Sequence, residues 1–172
     1  MRFAVALAMA FLVAPLCPSW SGEISPDVIP WERLAPDTAG LVSDVVARPL
    51  VVRQINGIAY KSRPEVFQYL LDHPDFAANM ARAIKVGRYR VTPVPGGYEA
   101  DDGRGVHGFL KPVYADAQRR VYYLAGRYAP PIFPAMTGRA VLVLDALHVA
   151  SPGGGSLAEV TVVGFLKVDS VL

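Results

Sequence analysis

Glu99, Asp101 and Asp102 precede His107 by a few residues and form the densest group of chemistry-bearing side chains in the chain. Paired carboxylates could bind Ca²⁺ through oxygen ligands, or flank a bond for acid–base work with the imidazole. The EF-hand spacing is absent, no acidic residue follows at the closing position, and Ca²⁺ takes about six to eight oxygens, so a solvated turn is the plainer reading. A hydrolase or metal-assisted enzyme using Asp101, Asp102 and His107 stays open as the third of three functional readings. The same stretch, Gly103-Arg104-Gly105-Val106-His107-Gly108, matches G-x-G-x-x-G. A dinucleotide site needs a strand before that pattern and a helix after it. Acidic residues precede it here and a β pattern with Pro112 follows, which predicts a glycine-rich turn with a bulge.

The three histidines, His73, His107 and His148, do not fall at H-x-x-x-H spacing, so a zinc site would have to be assembled in three dimensions. His73 reads as a helix-corner residue and His148 as a rim residue near a strand end. There is no G-x-S-x-G elbow, and Ser43, Ser62, Ser151, Ser156 and Ser170 lie at caps, turns or ends. No catalytic residue, metal ligand or cofactor is assigned, and the pattern leans away from an enzyme.

The remaining signal is apolar. Phe109, Tyr114, Tyr122, Tyr123, Tyr128, Phe133 and Phe165 spread over the second half of the chain. On alternating strands half of such residues share a face. Ordinary core explains them, and so does the wall of a site for a lipid-like ligand. Tyr122 with Leu124, Leu142 with Leu144, and Val162 with Leu166 share faces. With Phe109 and the helical Phe67, Leu71 and Met80 they are the candidate ligand-binding residues.

The elements that must position these side chains read as an α+β chain. Gly22 to Asp37 is a Pro-rich lead-in that Ile29 and Trp31 can pin to the body. Thr38 to Ala47 predicts a short helix with Leu41, Val45 and Val46 on one face. Leu50 to Tyr60 predicts a strand bent at Asn56-Gly57. Ser62-Arg63-Pro64-Glu65 matches an S-x-x-E capping box. Phe67, Leu70 and Leu71 then share a helical face. Asp72-His73-Pro74 ends that helix and starts another, striped by Phe76, Met80, Ala83 and Ile84 and closed by Gly87 as a left-handed cap. Strands follow at Tyr89–Val94, Val106–Tyr114, Arg120–Tyr128, Arg139–Val149 and Leu157–Val168, with turns at Pro95-Gly96-Gly97, Asp116-Ala117-Gln118 and Pro152–Gly155. Pro130–Pro134 is a stiff loop, and there is no internal repeat.

Composition bounds the setting. The first stretch, residues 1–21, has a charged Arg2, an apolar run from Phe3 to Leu16, and small residues at Ser19 and Ser21 before Gly22. This predicts a secretory signal peptide and a secreted or periplasmic protein. The run is shorter than the about 20 residues that span a bilayer, so a retained anchor is the weaker alternative. A lipoprotein is another, because Cys17 ends the run, but Leu16 before it fits poorly. No span is expected once the leader is removed. About 150 residues then remain, enough for one domain with one core. Cys17 is the only cysteine, so the mature chain would hold no disulfide and no thiolate site. The net charge of +2, less the one charge of Arg2, leaves +1. That near-neutral balance gives no footprint for nucleic acid.

From Leu50 to Val168, the element order and the segment EVFQYLLDHPDF resemble the START-like, helix-grip superfamily of lipid and polyketide carriers. The resemblance implies residues 22–48 as lead-in and 49–172 as the domain. It also implies a curved antiparallel sheet of about six strands, with an apolar cavity under a long C-terminal helix. This sequence ends at Leu172, in or just after the last strand, without such a helix, and Thr38–Ala47 is the only local substitute. The implied function is a non-enzymatic binding protein for a lipid-like or other apolar ligand. The alternative is an envelope module that docks another protein through a sheet edge or its Pro-rich arm.

Overall fold

A computed structural model describes residues 26–129, 134–151 and 154–171. The leader, Cys17, the start of the lead-in, most of the Pro130–Pro134 loop, Pro152-Gly153 and Leu172 lie outside the described residues. The chain is α+β, with seven antiparallel strands in one open sheet. They are β1 (Val51–Lys61), β2 (Arg90–Val94), β3 (Gly97–Asp101), β4 (Val106–Ala115), β5 (Arg119–Tyr128), β6 (Met136–Ala150) and β7 (Ser156–Val171). Their order is β1-β7-β6-β5-β4-β3-β2, so β2 to β7 form a meander and β1 pairs with the free side of β7. The strand the sequence reading missed is β3. Its residues, GYEAD, include none of the β-branched types that mark strands.

Among the described residues three α-helices accompany the sheet: α1 (Pro36–Val46), α2 (Pro64–Asp72) and α3 (Pro74–Ala83), with two 3-10 turns at Pro26–Val28 and Trp31–Arg33. Each α-helix starts on a proline, where the missing N–H costs nothing. His73 ends α2 and caps α3, as the corner reading expects. Asn56-Gly57 is the bend of β1: the register with β7 shifts between Ile55 and Ile58, and Gly57 has φ +72°.

Four local expectations are corrected. The buried face of α1 is Thr38, Val42, Val45 and Val46, while Leu41 is exposed. The capping box does not form, because Arg63 occupies the cap and puts Glu65 one position too early; the Ser62 hydroxyl donates to the Arg63 carbonyl instead. Helix α3 buries Ala78 and turns Phe76, Ala83 and Ile84 to solvent, because its small side chains let it lie close on β2. The left-handed residue after α3 is Lys85 (φ +57°), not Gly87. Gly87 is needed for space: a Cβ there would sit 3.0 Å from the Tyr89 ring.

The helices lie on opposite faces of the sheet. Val42, Val45 and Val46 of α1 pack with Ile29 and Leu34 of the lead-in on Val121, Tyr123, Val141, Val143, Val163 and Phe165. Phe67 and Leu71 of α2 pack on Tyr122, Leu142, Leu144, Ala146, Val160 and Val162. The alternation along β5, β6 and β7 assigns these sets to the two sides. Thus α1 does not stand in for a helix over the helix-pair face. Among the described residues no helix is long and apolar enough to cross a membrane.

Candidate functional site: an uncovered apolar trough

The strand registers align one row of side chains across the helix-pair face: Val51, Leu166, Ala140, Leu124, Leu110 and Tyr98. The next row outward is Val168, Gly138, Gly126, Gly108 and Ala100. Neither row holds a charge. Helix α2 covers the inner rows at Tyr122, Leu142, Leu144 and Val162, which are buried, and leaves Leu110, Leu124, Ala140 and Leu166 half-buried. With Ala100 and the three glycines, these four line an open groove of about 100 Å³, which Phe109, Ala125 and Arg139, on the α1 face by register, also border.

The glycines are there for a backbone reason. A Cβ on Gly108, Gly126 or Gly138 would come within 2.8, 2.8 and 2.9 Å of carbonyl oxygens on the neighbouring strands. Close strand approach therefore forbids a side chain on three adjacent strands. The consequence is a floor of bare backbone beside a row of aliphatic side chains.

The candidate residues divide. Phe67, Leu71, Tyr122, Leu142, Leu144 and Val162 are brought together, but as close-packed core beneath α2. Phe67 makes edge contacts with the rings of Tyr60 (5.8 Å) and His148 (5.4 Å). The Tyr122 hydroxyl donates to the Leu71 carbonyl at 3.1 Å, and burial pushes its pKa up to about 12. Leu124 and Leu166 line the trough. Phe109 belongs by register to the α1 face and meets the trough only at its edge. Met80 is half-buried on α3 and joins neither core cluster. The sequence reading missed Leu110, Ala140, Ala100 and the three glycines. Their signal was a glycine two residues from an aliphatic on each of β4, β5 and β6, which register alone turns into a surface.

The acidic group has a local task. The Asp101 carboxylate accepts from the Gly103 N–H (2.6 Å) and approaches His107 Nδ1 (3.5 Å). The Asp102 carboxylate accepts from the N–H groups of Arg104 (2.6 Å) and Val106 (3.0 Å). Gly103 and Gly105 have positive φ. The G-x-G-x-x-G stretch is thus the β3–β4 turn, running into β4.

Two further clefts are polar. One, of about 630 Å³, lies on the α1 face among Arg33, Tyr114, Asp116, Arg119, Asp145 and Glu159. Its cations are matched: Arg33 lies 3.7 Å from Asp116, and Arg119 binds Asp145 at 2.5 Å. The other, of about 380 Å³, is lined by Lys85, Arg88, Arg104, Tyr89 and Asp102 at the β3–β4 turn. Neither a protein-family model nor a curated protein matches the chain.

Proposed function

We propose that the protein is a non-enzymatic binding module of START-like build whose trough takes the apolar chain of an amphiphile. The observation that supports this reading is the apolar trough next to α2, whose two rows of side chains hold no charge and whose floor is three glycines. The order strand, helix pair, meander fits the helix-grip arrangement, and the trough lies where that arrangement would place its cavity. A chain laid along Leu110, Leu124, Ala140 and Leu166 would bury apolar surface worth about 25 cal/mol per Å². The site is open rather than enclosed, so a bound chain would stay partly wet and affinity would be modest.

The test is calorimetric titration with dodecyl maltoside below its micelle concentration. Binding is expected, and is expected to be lost in Leu124→Glu/Leu166→Glu. Both positions are half-buried, so the charges stay hydrated and the fold survives, which circular dichroism checks. No binding, or equal binding by the double variant, overturns the reading.

A second reading rests on the free edge of β1. Leu50, Val51 and Val52 are 69%, 40% and 38% exposed there, an apolar start to an edge strand that a partner protein could extend. Crosslinking in the envelope fraction that captures a partner through β1, and fails for Val52→Lys, would favour it. A lone monomer would count against it.

A further inference from the structure

The cleft at the β3–β4 turn differs from the larger cleft on the α1 face. Lys85, Arg88 and Arg104 converge on it, and among the described residues none of the three makes an ion pair. Asp102 is the one anion in its wall, and its carboxylate is engaged by two backbone N–H groups. The larger cleft on the α1 face has its arginines matched to aspartates instead. Surplus positive charge in a concave wall attracts anions.

Position links this cleft to the trough. Ala100 lines the trough and Asp102, just past the end of β3, lines the cleft, so the two sites lie two residues apart along the chain. Lys85 is held at the cleft in a left-handed conformation that glycine would adopt more readily.

We infer that the amphiphile bound in the trough carries an anionic head, a phosphate or carboxylate, which Lys85, Arg88 and Arg104 hold in this cleft. The inference rests on the apolar-chain reading and adds the class of ligand. Arginine forks would take two oxygens of such a head, and on a phosphate the lysine would take a third.

The experiment titrates the full chain with inorganic phosphate and with dodecyl phosphate and dodecyl maltoside, the two dodecyl compounds below their micelle concentrations. Three proteins are compared: the native chain, Lys85→Ser/Arg88→Ser/Arg104→Ser, and a charge-matched control, Arg48→Ser/Lys61→Ser/Arg63→Ser. The N-terminal apolar run is common to all three, so it contributes equally. Dodecyl phosphate is expected to bind the native chain about ten-fold tighter than dodecyl maltoside. That advantage is expected to vanish in the cleft variant and persist in the control. Equal binding of the two dodecyl compounds overturns the anionic head while leaving the chain reading intact. Binding of neither dodecyl compound overturns the chain reading itself. Inorganic phosphate binding as tightly as dodecyl phosphate makes the cleft an independent anion site and overturns the link to the trough.

Discussion

The two faces of this sheet are covered in different ways. On the α1 face one helix and the lead-in close over Val121, Val141, Val143 and Phe165, and ion pairs ring the contact. Asp44 of α1 binds Arg139 at 2.5 Å and Lys167 at 2.8 Å, and Asp37 reaches Lys111 at 3.6 Å. Solvent reaches and screens these pairs, so the apolar cluster holds α1 down. On the other face α2 covers only the inner rows. It is tied by Arg120, only 7% exposed, which binds Asp72 at 3.0 Å and Gln68 at 2.7 Å. The same backbone thus presents one side whose open cleft is polar and charge-matched and another whose open groove is apolar. That difference is what makes the second side a candidate for binding.

The sharpest way to break the comparison is to truncate one residue on each side. Phe165→Ala on the α1 face, where the ring is 2% exposed, should cost about 3–5 kcal/mol in urea unfolding. Leu124→Ala in the trough should cost about 1 kcal/mol and remove dodecyl maltoside binding. Equal costs would mean that the trough is core.

A glycine pair sharpens it further. Gly126→Ala forces a Cβ to 2.8 Å from the His107 carbonyl and should destabilise by about 1–3 kcal/mol. Gly40→Ala on α1 meets nothing within 4 Å and should stabilise by about 0.5–1 kcal/mol through helix propensity. Thermal unfolding that moved both the same way would refute the close-approach account of the trough floor. Arg120→Met should cost about 1–3 kcal/mol, since it strips hydrogen bonds from a charged group. Hydrogen exchange should then speed up in α2 and α3 and leave α1 unchanged. Lys85→Gly should stabilise by about 1 kcal/mol, by relieving the left-handed backbone, and should weaken dodecyl phosphate binding.

Much of this architecture was legible from local chemistry. Asp72-His73-Pro74 marks the α2–α3 corner because proline can start a helix but not continue one, and runs of β-branched and aromatic residues mark β1, β5, β6 and β7. Failures came where a second element decides. The stripe Phe76–Ile84 has helical spacing, but β2 accepts only the small Ala78 side. The S-x-x-E match at Ser62 is undone by Pro64, which starts the helix one residue later than the box requires. The core residues beneath α2 were readable from periodicity. The trough was not, because it consists of half-buried aliphatics and glycines on strands whose faces only register fixes. The basic cleft was invisible for the same reason: Lys85 and Arg88 lie far from Arg104 in the sequence until β2 and β3 fold back.

Acid should probe the α1 face and spare the trough. The Asp116 carboxylate, which opens the β4–β5 turn, accepts from the Tyr114 hydroxyl at 2.6 Å and from the N–H groups of Gln118 and Arg119. These bonds, the tyrosine's first, lower its pKa from 3.8 to about 2. A lowered folded pKa contributes stability that is fully present above 3.8 and is lost as pH falls through about 2. The side chain is 38% exposed, so screening keeps the effect small. Asp116→Asn should therefore be slightly less stable than the native chain at pH 5. The two should converge in urea midpoint as pH falls from 3.8 towards about 2. Asp44 and Asp169 are lowered in the same direction by Lys167 and Arg139, so the variant flattens only part of the acid limb. The trough rows hold no titrating carboxylate, and dodecyl maltoside affinity should stay level across this window for as long as the fold persists. A titration of that affinity with the fold intact would place a carboxylate in contact with the chain, and the rows that line the trough would have to be redrawn.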